Sequence, residues 1–254
     1  MIKHAYACGS PIRQPYVKAA SDSVGSEFHP EADPKYRGGD SIVWGKIRGS
    51  PRLIKEIVDD GHDYYSMDNA YRIRDKYYRI TKNADHHVGL EDRPADRWQQ
   101  HGLKIRDWTK GSHILIALST QWQFKFHGDD IQQWLDNVIA MLRANTDRKI
   151  IVRAKPKKHE KLPPIEVALM NCHALITCMS MAALDAFQMG VPVFCDDKCC
   201  ARPISRGIDE LHKIEDPLYP ENREQLFHTL AYHQFTKNEL QSGMWKEYSC
   251  YDSS

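Results

Sequence analysis

A chain of 254 residues can bury a real core, as one domain or as two small lobes, and its 41% hydrophobic and 27% charged content is that of an ordinary globular protein. Its 35 Lys and Arg balance 34 Asp and Glu at a formal charge of +1, which excludes neither nucleic-acid nor sugar partners because local patches matter more than totals. No apolar run approaches membrane-spanning length, and MIKHAYACGSPIRQP lacks the apolar core of a secretory signal, so a cytoplasmic protein without a membrane partner is expected. The seven cysteines are scattered, and Cys172, Cys178 and Cys195 fall inside apolar strand-like runs as small hydrophobes, which argues against a disulfide framework. Cys195, Cys199 and Cys200 lie close together, but no paired CxxC or matching His follows, so no metal site is expected.

In residues 1–40 only Ile2–Cys8 reads as a strand. Ser41–Gly45 is a short apolar run, after which Ser50-Pro51 opens a helix whose apolar residues Leu53, Ile54, Ile57 and Val58 precede Gly61. Asp63–Asp68 and Tyr77–Thr81 are aromatic and strand-like, giving one β-loop-α-β crossover unit. Residues 84–111 are polar and read as a long bridge. His113–Leu118 then begins a cleaner alternation. Asp129-Asp130 caps a helix with Ile131, Trp134, Leu135, Val138, Ile139 and Leu142 on one face, and Lys149–Val152 is the next strand. Pro163-Pro164 opens another helix, His173–Thr177 is a strand, Ser180 caps helix 181–189 before Gly190, and Val191–Cys195 is the last strand. Thr236-x-x-Glu239 is a capping box between two tail helices, about 221–234 and 237–241. Wholly apolar strands, each followed by a helix, predict a parallel sheet covered on both faces, with a phosphate site in a Rossmann-like half-domain over 112–195.

Ligands of such sheets bind at the carboxyl ends of the strands. One loop there carries Arg153 and Lys155 on the same side of a strand end, followed by Lys157, Lys158 and His159; the pair suits a pyrophosphate, and a solvated basic loop is the plain alternative. A second is Met179-Ser180-Met181, where a strand runs into a helix N-terminus that offers amides and a hydroxyl to an anion, or is simply capped by serine. Asp185 beyond it suits ribose hydroxyls or a surface position, and Arg202 lies in a third loop.

The stretch HALITCMSMAALDAFQMGVPVFCDD, preceded by IIVRAKP, resembles the nucleotide-binding half of GT-B glycosyltransferases and of the related sugar-nucleotide 2-epimerases. Strand, Ser/Thr-rich turn, acidic helix and G-x-P-V follow in that order, as His173–Thr177, Met179-Ser180, Asp185 and Gly190–Val193. The departures are Asp185 where the family usually has Glu, the bulky Met179 and Met181 beside the turn, and a chain short for GT-B. The resemblance implies an α/β fold of two Rossmann-like lobes, GT-B-like, with the first reduced. It implies an acceptor-side lobe over 1–110, a sugar-nucleotide lobe over 111–215 and helices over 216–254 crossing back to the first lobe. Gly45, Arg48, Arg153, Lys155, Met179, Ser180, Met181, Asp185 and Arg202 would bind the donor, a UDP-sugar such as UDP-glucose serving as co-substrate with no tightly bound cofactor or metal.

A general base should then come from the first half, where Asp68 ends a strand; His62 is the alternative, and a turn or cap carboxylate is the ordinary reading of Asp68. Tyr71, Arg72, Arg74, Tyr78 and Arg79, followed by His86, His87 and Arg93, interleave cations with rings as a nucleic-acid surface does, although a charged half-exposed strand would look similar. DNAYRIRDKYYRIT and LAYHQFTKNELQSG also resemble phage proteins associated with modified viral DNA, which implies a host-cytoplasmic enzyme whose acceptor is a 5-hydroxymethylpyrimidine in DNA. An epimerase, a glycan-directed transferase or a non-catalytic nucleotide- or nucleic-acid-binding protein are the other readings.

Overall fold

The computed structural model describes residues 1–46, 49–156 and 160–249. The chain divides into two compact units, Met1–His87 with Leu230–Ser254, and Val88–Thr229.

The first unit is built on strands β1 (His4–Tyr6), β2 (Glu27–His29), β3 (Ser41–Trp44), β4 (Tyr64–Asn69) and β5 (Tyr78–Lys82), in the sheet order β2-β1-β3-β4-β5. The first four are parallel; β5 returns antiparallel along β4, with Asp68 opposite Arg79. Helices α1 (Gln14–Asp22) and α2 (Ser50–Asp59) make the crossovers into β2 and β4. Leu53, Ile54 and Ile57 of α2 are buried as their spacing requires, whereas Val58 is 53% exposed. Neither α1 nor β2 is legible in the sequence. The buried face of α1 is Val17, Ala19, Ala20 and Ser21, too small to show an apolar period, and β2 has only three residues.

The second unit carries helix α3 (Asp96–Gln99) and a wholly parallel sheet of β6 (His113–Ala117), β7 (Lys149–Arg153), β8 (Cys172–Thr177), β9 (Val193–Cys195) and β10 (Arg206–Gly207). Its order is β10-β9-β8-β6-β7. The intervening helices are α4 (Gln121–Phe126), α5 (Ile131–Arg143), α6 (Ile165–Leu169) and α7 (Ala182–Gln188). Every residue of β8 is buried, as a sheet covered on both faces demands. Asp130 caps α5, its carboxylate accepting from the Gln133 amide at 2.9 Å. The tail forms α8 (Arg223–Tyr232) and α9 (Lys237–Ser242), the latter opened by the Thr236–Glu239 capping box. Phe235 bridges to Tyr78 of the first sheet, and α9 packs on α1.

Numbered within its own unit, each sheet has the strand order 2-1-3-4-5, a doubly wound plan whose winding reverses between the first and third strands. The reversal falls between β1 and β3 in one unit and between β6 and β8 in the other. These reversals leave two crevices at the carboxyl edges, and they decide which loops can receive a ligand. Among the described residues, no helix is long and apolar enough to cross a membrane.

Gly190 ends α7 at φ +79°, and a Cβ there would lie 1.9 Å from the Asp107 carbonyl oxygen. Both the left-handed backbone and the close approach require glycine. Gly190→Ala should therefore destabilise the fold by about 2 kcal/mol or more, read as a lower urea midpoint. A second expectation concerns pH. His173 sits at the irregularity where β8 slips against β6; its ring bonds the Ile214 carbonyl at 2.8 Å, and burial holds its pKa below 6.5. The folded state thus binds fewer protons than the unfolded one below that value, so stability is fully present above it and declines as pH falls through the window beneath. His173→Gln should flatten the decline in denaturation midpoint between about pH 6.5 and 5.

Candidate functional site

The carboxyl edge of the second sheet forms one row. Arg153 is registered with Ala117, Cys195 with Thr177, and Gly207 with Cys195. The Thr177 hydroxyl closes the gap between the strands that flank the reversal: it donates to the Ala117 carbonyl at 2.6 Å and accepts from the Ser180 amide at 3.2 Å. Ser119, just past β6, accepts from the Met179 amide at 3.2 Å. Thr177 is fully buried and Ser119 is 5% exposed, so both bonds are shielded from water. The β8–α7 turn is held from beneath by two hydroxyls.

This arrangement changes what the turn offers an anion. The sequence assigns its free amides to a phosphate, but Met179 and Ser180 donate to Ser119 and Thr177, and the Ala182 amide donates to Ser180 Oγ at 3.3 Å. The Ser180 hydroxyl still has its own proton to donate. Ser180 and Met181 are partly exposed, whereas Met179 is 4% exposed and packs inward. Asp185 lies in the first turn of α7 and is partly exposed. Ser119 and Thr177 anchor the turn without standing out in the sequence, where the one available signal is a strand ending in Thr.

Cations stand on either side. Arg153 ends β7, its guanidinium donating to the Pro163 carbonyl at 2.5 Å, and Lys155 beyond it is exposed. Arg202 is tethered, donating to Asp197 at 2.8 Å and to the Ser205 carbonyl at 2.8 Å. The Asp197 bond raises the Arg202 pKa further. Cys195 and Cys199 are buried thiols held well above their ordinary pKa, Cys195 chiefly by burial, and Cys195 Sγ lies 3.0 Å from Ser205 Oγ.

At the carboxyl edge of the first sheet, Gly45 follows β3 at φ +62°, with open space where a Cβ would stand, and its amide donates to Met67. Lys46 beside it pairs with the buried Asp85. Arg48 lies outside the described residues, as do Lys157, Lys158 and His159. Asp68, with its side chain 35% exposed, accepts from the Asn69 amide at 2.7 Å and from Arg79 at 3.3 Å. Arg79 is itself buried, bonding the Asp85 and Asn69 carbonyls and lying over the Tyr71 ring. It fixes the Asp68 carboxylate from below. His62 precedes β4 and faces Asp40 at 3.3 Å, so it stands at the opposite end of the strand from Asp68, roughly 20 Å away at the rise of an extended chain.

The interleaved rings and cations do not share one surface. Tyr71, Tyr78, Arg79 and His86 are buried, and the Tyr78 pKa is pushed up to about 12, chiefly by that burial. Arg72 is partly exposed and donates its amide to Gln234; His87 stacks on His233 with centroids 3.5 Å apart; Arg74 is exposed. Arg93 belongs to the other unit and pairs with Glu91 at 2.6 Å.

No family profile matches the chain, and no curated protein matches it in sequence. Two Rossmann-like units of this kind define a GT-B-like fold, and solved structures of that kind resemble it. A Thermosulfurimonas dismutans KpsC beta Kdo 2,7 transferase structure superposes with a TM-score of 0.54 at 9% identity, over 93% of this chain and 92% of its own. A beta Kdo 2,4 transferase structure of KpsC from the same organism gives 0.51 at 11% identity with the same coverage. The likeness is one of fold.

Thr177→Val keeps the side-chain volume while removing both bonds of the hydroxyl. Two buried polar groups then lose their partner, so the variant should be less stable by about 1–3 kcal/mol in chemical denaturation. An unchanged midpoint would mean the turn is held by packing alone.

Proposed function

We propose that this protein is a glycosyltransferase that seats a nucleotide-sugar donor at the carboxyl ends of β6 and β8. The observation that carries the proposal is the coincidence of the strand-order reversal with the turn anchored by Thr177 and Ser119, in a chain whose fold likeness to two Kdo transferases spans nearly its whole length. Lys155, Arg153 and the Ser180 hydroxyl are the donor-phosphate ligands in this reading, and Asp185 is the ribose ligand. Charge leaving with the nucleoside diphosphate would be met by the two cations. In this reading Asp68, fixed by Arg79 and partly exposed, takes the proton of the acceptor hydroxyl.

The acceptor favoured is a sugar hydroxyl. The neighbours are named as Kdo transferases, and the burial of Tyr71, Tyr78, Arg79 and His86 leaves little ring surface on which an unstacked base would lie. A 5-hydroxymethylpyrimidine in DNA is the competing acceptor, and Arg74 is an exposed cation that would serve it.

The test is a thermal-shift panel of UDP-, GDP- and CMP-linked sugars, activated Kdo included, followed by turnover with glycan and hydroxymethylated-DNA acceptors. One nucleotide sugar should raise the melting temperature selectively, by linkage. Lys155→Ala and Ser180→Ala should each weaken that donor by about 1–3 kcal/mol. Asp68→Asn should cut turnover at least about a hundredfold and leave donor affinity nearly intact. A chain that binds no nucleotide sugar at millimolar concentration is not a transferase of this kind, and transfer to DNA would reverse the choice of acceptor.

A further inference from the structure

His4 on β1 is registered with Glu27 on β2, and Tyr6 with His29. Alternate residues of neighbouring parallel strands share a sheet face, so all four side chains lie on one side at this edge. His4 Nδ1 is 3.1 Å from His29 Nε2. Glu27 Oε2 is 3.5 Å from the first of these atoms and 3.7 Å from the second.

A hydrogen bond between the two rings accounts for the short side of this triangle, while the carboxylate stands at ion-pair distance from both rings, farther than a good hydrogen bond. A metal ion accounts for all three sides. A triangle with these sides has a circumradius of about 2.0 Å, so a point about 0.7 Å off its plane lies about 2.1 Å from every donor atom, the length of zinc–nitrogen and zinc–carboxylate bonds in a tetrahedral site. We propose that His4, His29 and Glu27 bind a divalent transition-metal ion of the zinc class through three protein ligands, with a fourth position open to water.

The surroundings suit that assignment. The His4 and His29 side chains are 12% and 4% exposed, so their rings are held by packing, while Glu27 at 58% keeps one side of the site open. Tyr6 stacks on the His29 ring at 4.8 Å, and its hydroxyl accepts from the Arg37 amide. Metal binding requires both rings neutral, so uptake should weaken as pH falls and the histidines take up protons. The Arg37 guanidinium lies 4.0 Å from Oε1, the carboxylate oxygen not turned to the rings. Because β2 is a three-residue edge strand, an ion here would clip it to β1.

The experiment uses full-length protein without a histidine tag, stripped with chelator and titrated with Zn²⁺ by calorimetry and with Co²⁺ by visible absorption. The expected result is one equivalent bound, a four-coordinate Co²⁺ spectrum and a higher melting temperature with Zn²⁺. Glu27→Gln, at an exposed position that should leave folding intact, should weaken binding at least about tenfold, and His29→Asn at least about a hundredfold, with the thermal shift lost in both. Absence of stoichiometric uptake, or uptake unchanged in Glu27→Gln, overturns the site. The donor panel is independent of this measurement, since these residues lie outside the proposed transfer machinery.

Discussion

The second unit's candidate site depends on one hydroxyl. Thr177 ends the central strand where the winding reverses, and its Oγ1 is donor to Ala117 and acceptor from Ser180 at once. A parallel sheet leaves the carbonyls at its carboxyl edge without a ladder partner, and the residue that satisfies them also fixes the loops above. Here that residue orients the turn to which Ser180 belongs, and Ser119 repeats the arrangement from the neighbouring strand. The site is thus a by-product of how the edge of a buried sheet satisfies its own polar groups.

The same economy limits the site. Amides bonded to Thr177, Ser119 and Ser180 are not standing free for a phosphate, and α7 has only seven residues to supply a dipole. The groups that the turn and the β7 end leave toward solvent are side chains, the partly exposed Ser180 hydroxyl and the exposed Lys155 ammonium, more than backbone. In the first unit the pattern is similar: buried Arg79 spends its donors on Asp85, Asn69 and Asp68, and so serves as a rigid base for a carboxylate near the surface. In each unit a buried polar group holds a more exposed one in place.

The two units share a strand order while differing in what fills their edges. The second is sealed by apolar β8, whereas the first sets histidines and a carboxylate on its outermost strand pair. That pair joins residues 23 and 25 positions apart through a helix and a three-residue strand, neither of which shows a periodic signal. A constellation of that kind has no local motif in the sequence.

The sequence by itself determined strands β1, β3, β4, β5, β6, β7, β8 and β9, the amphipathic faces of α2 and α5, the Asp130 cap, the Thr236–Glu239 box and the Gly190 stop. Those features are local, set by side-chain spacing and backbone conformation. Tertiary structure decided the rest. The antiparallel return of β5 turns Arg79 inward onto Asp68, so that cations and rings legible as a surface stripe become interior struts. The separation of His62 from Asp68, by contrast, follows from the extension of β4 alone and was legible once Asp63–Asp68 read as a strand. Which amides remain available to a ligand was likewise settled by Thr177 and Ser119, because hydrogen bonds between strands 60 residues apart follow from register and not from spacing along the chain.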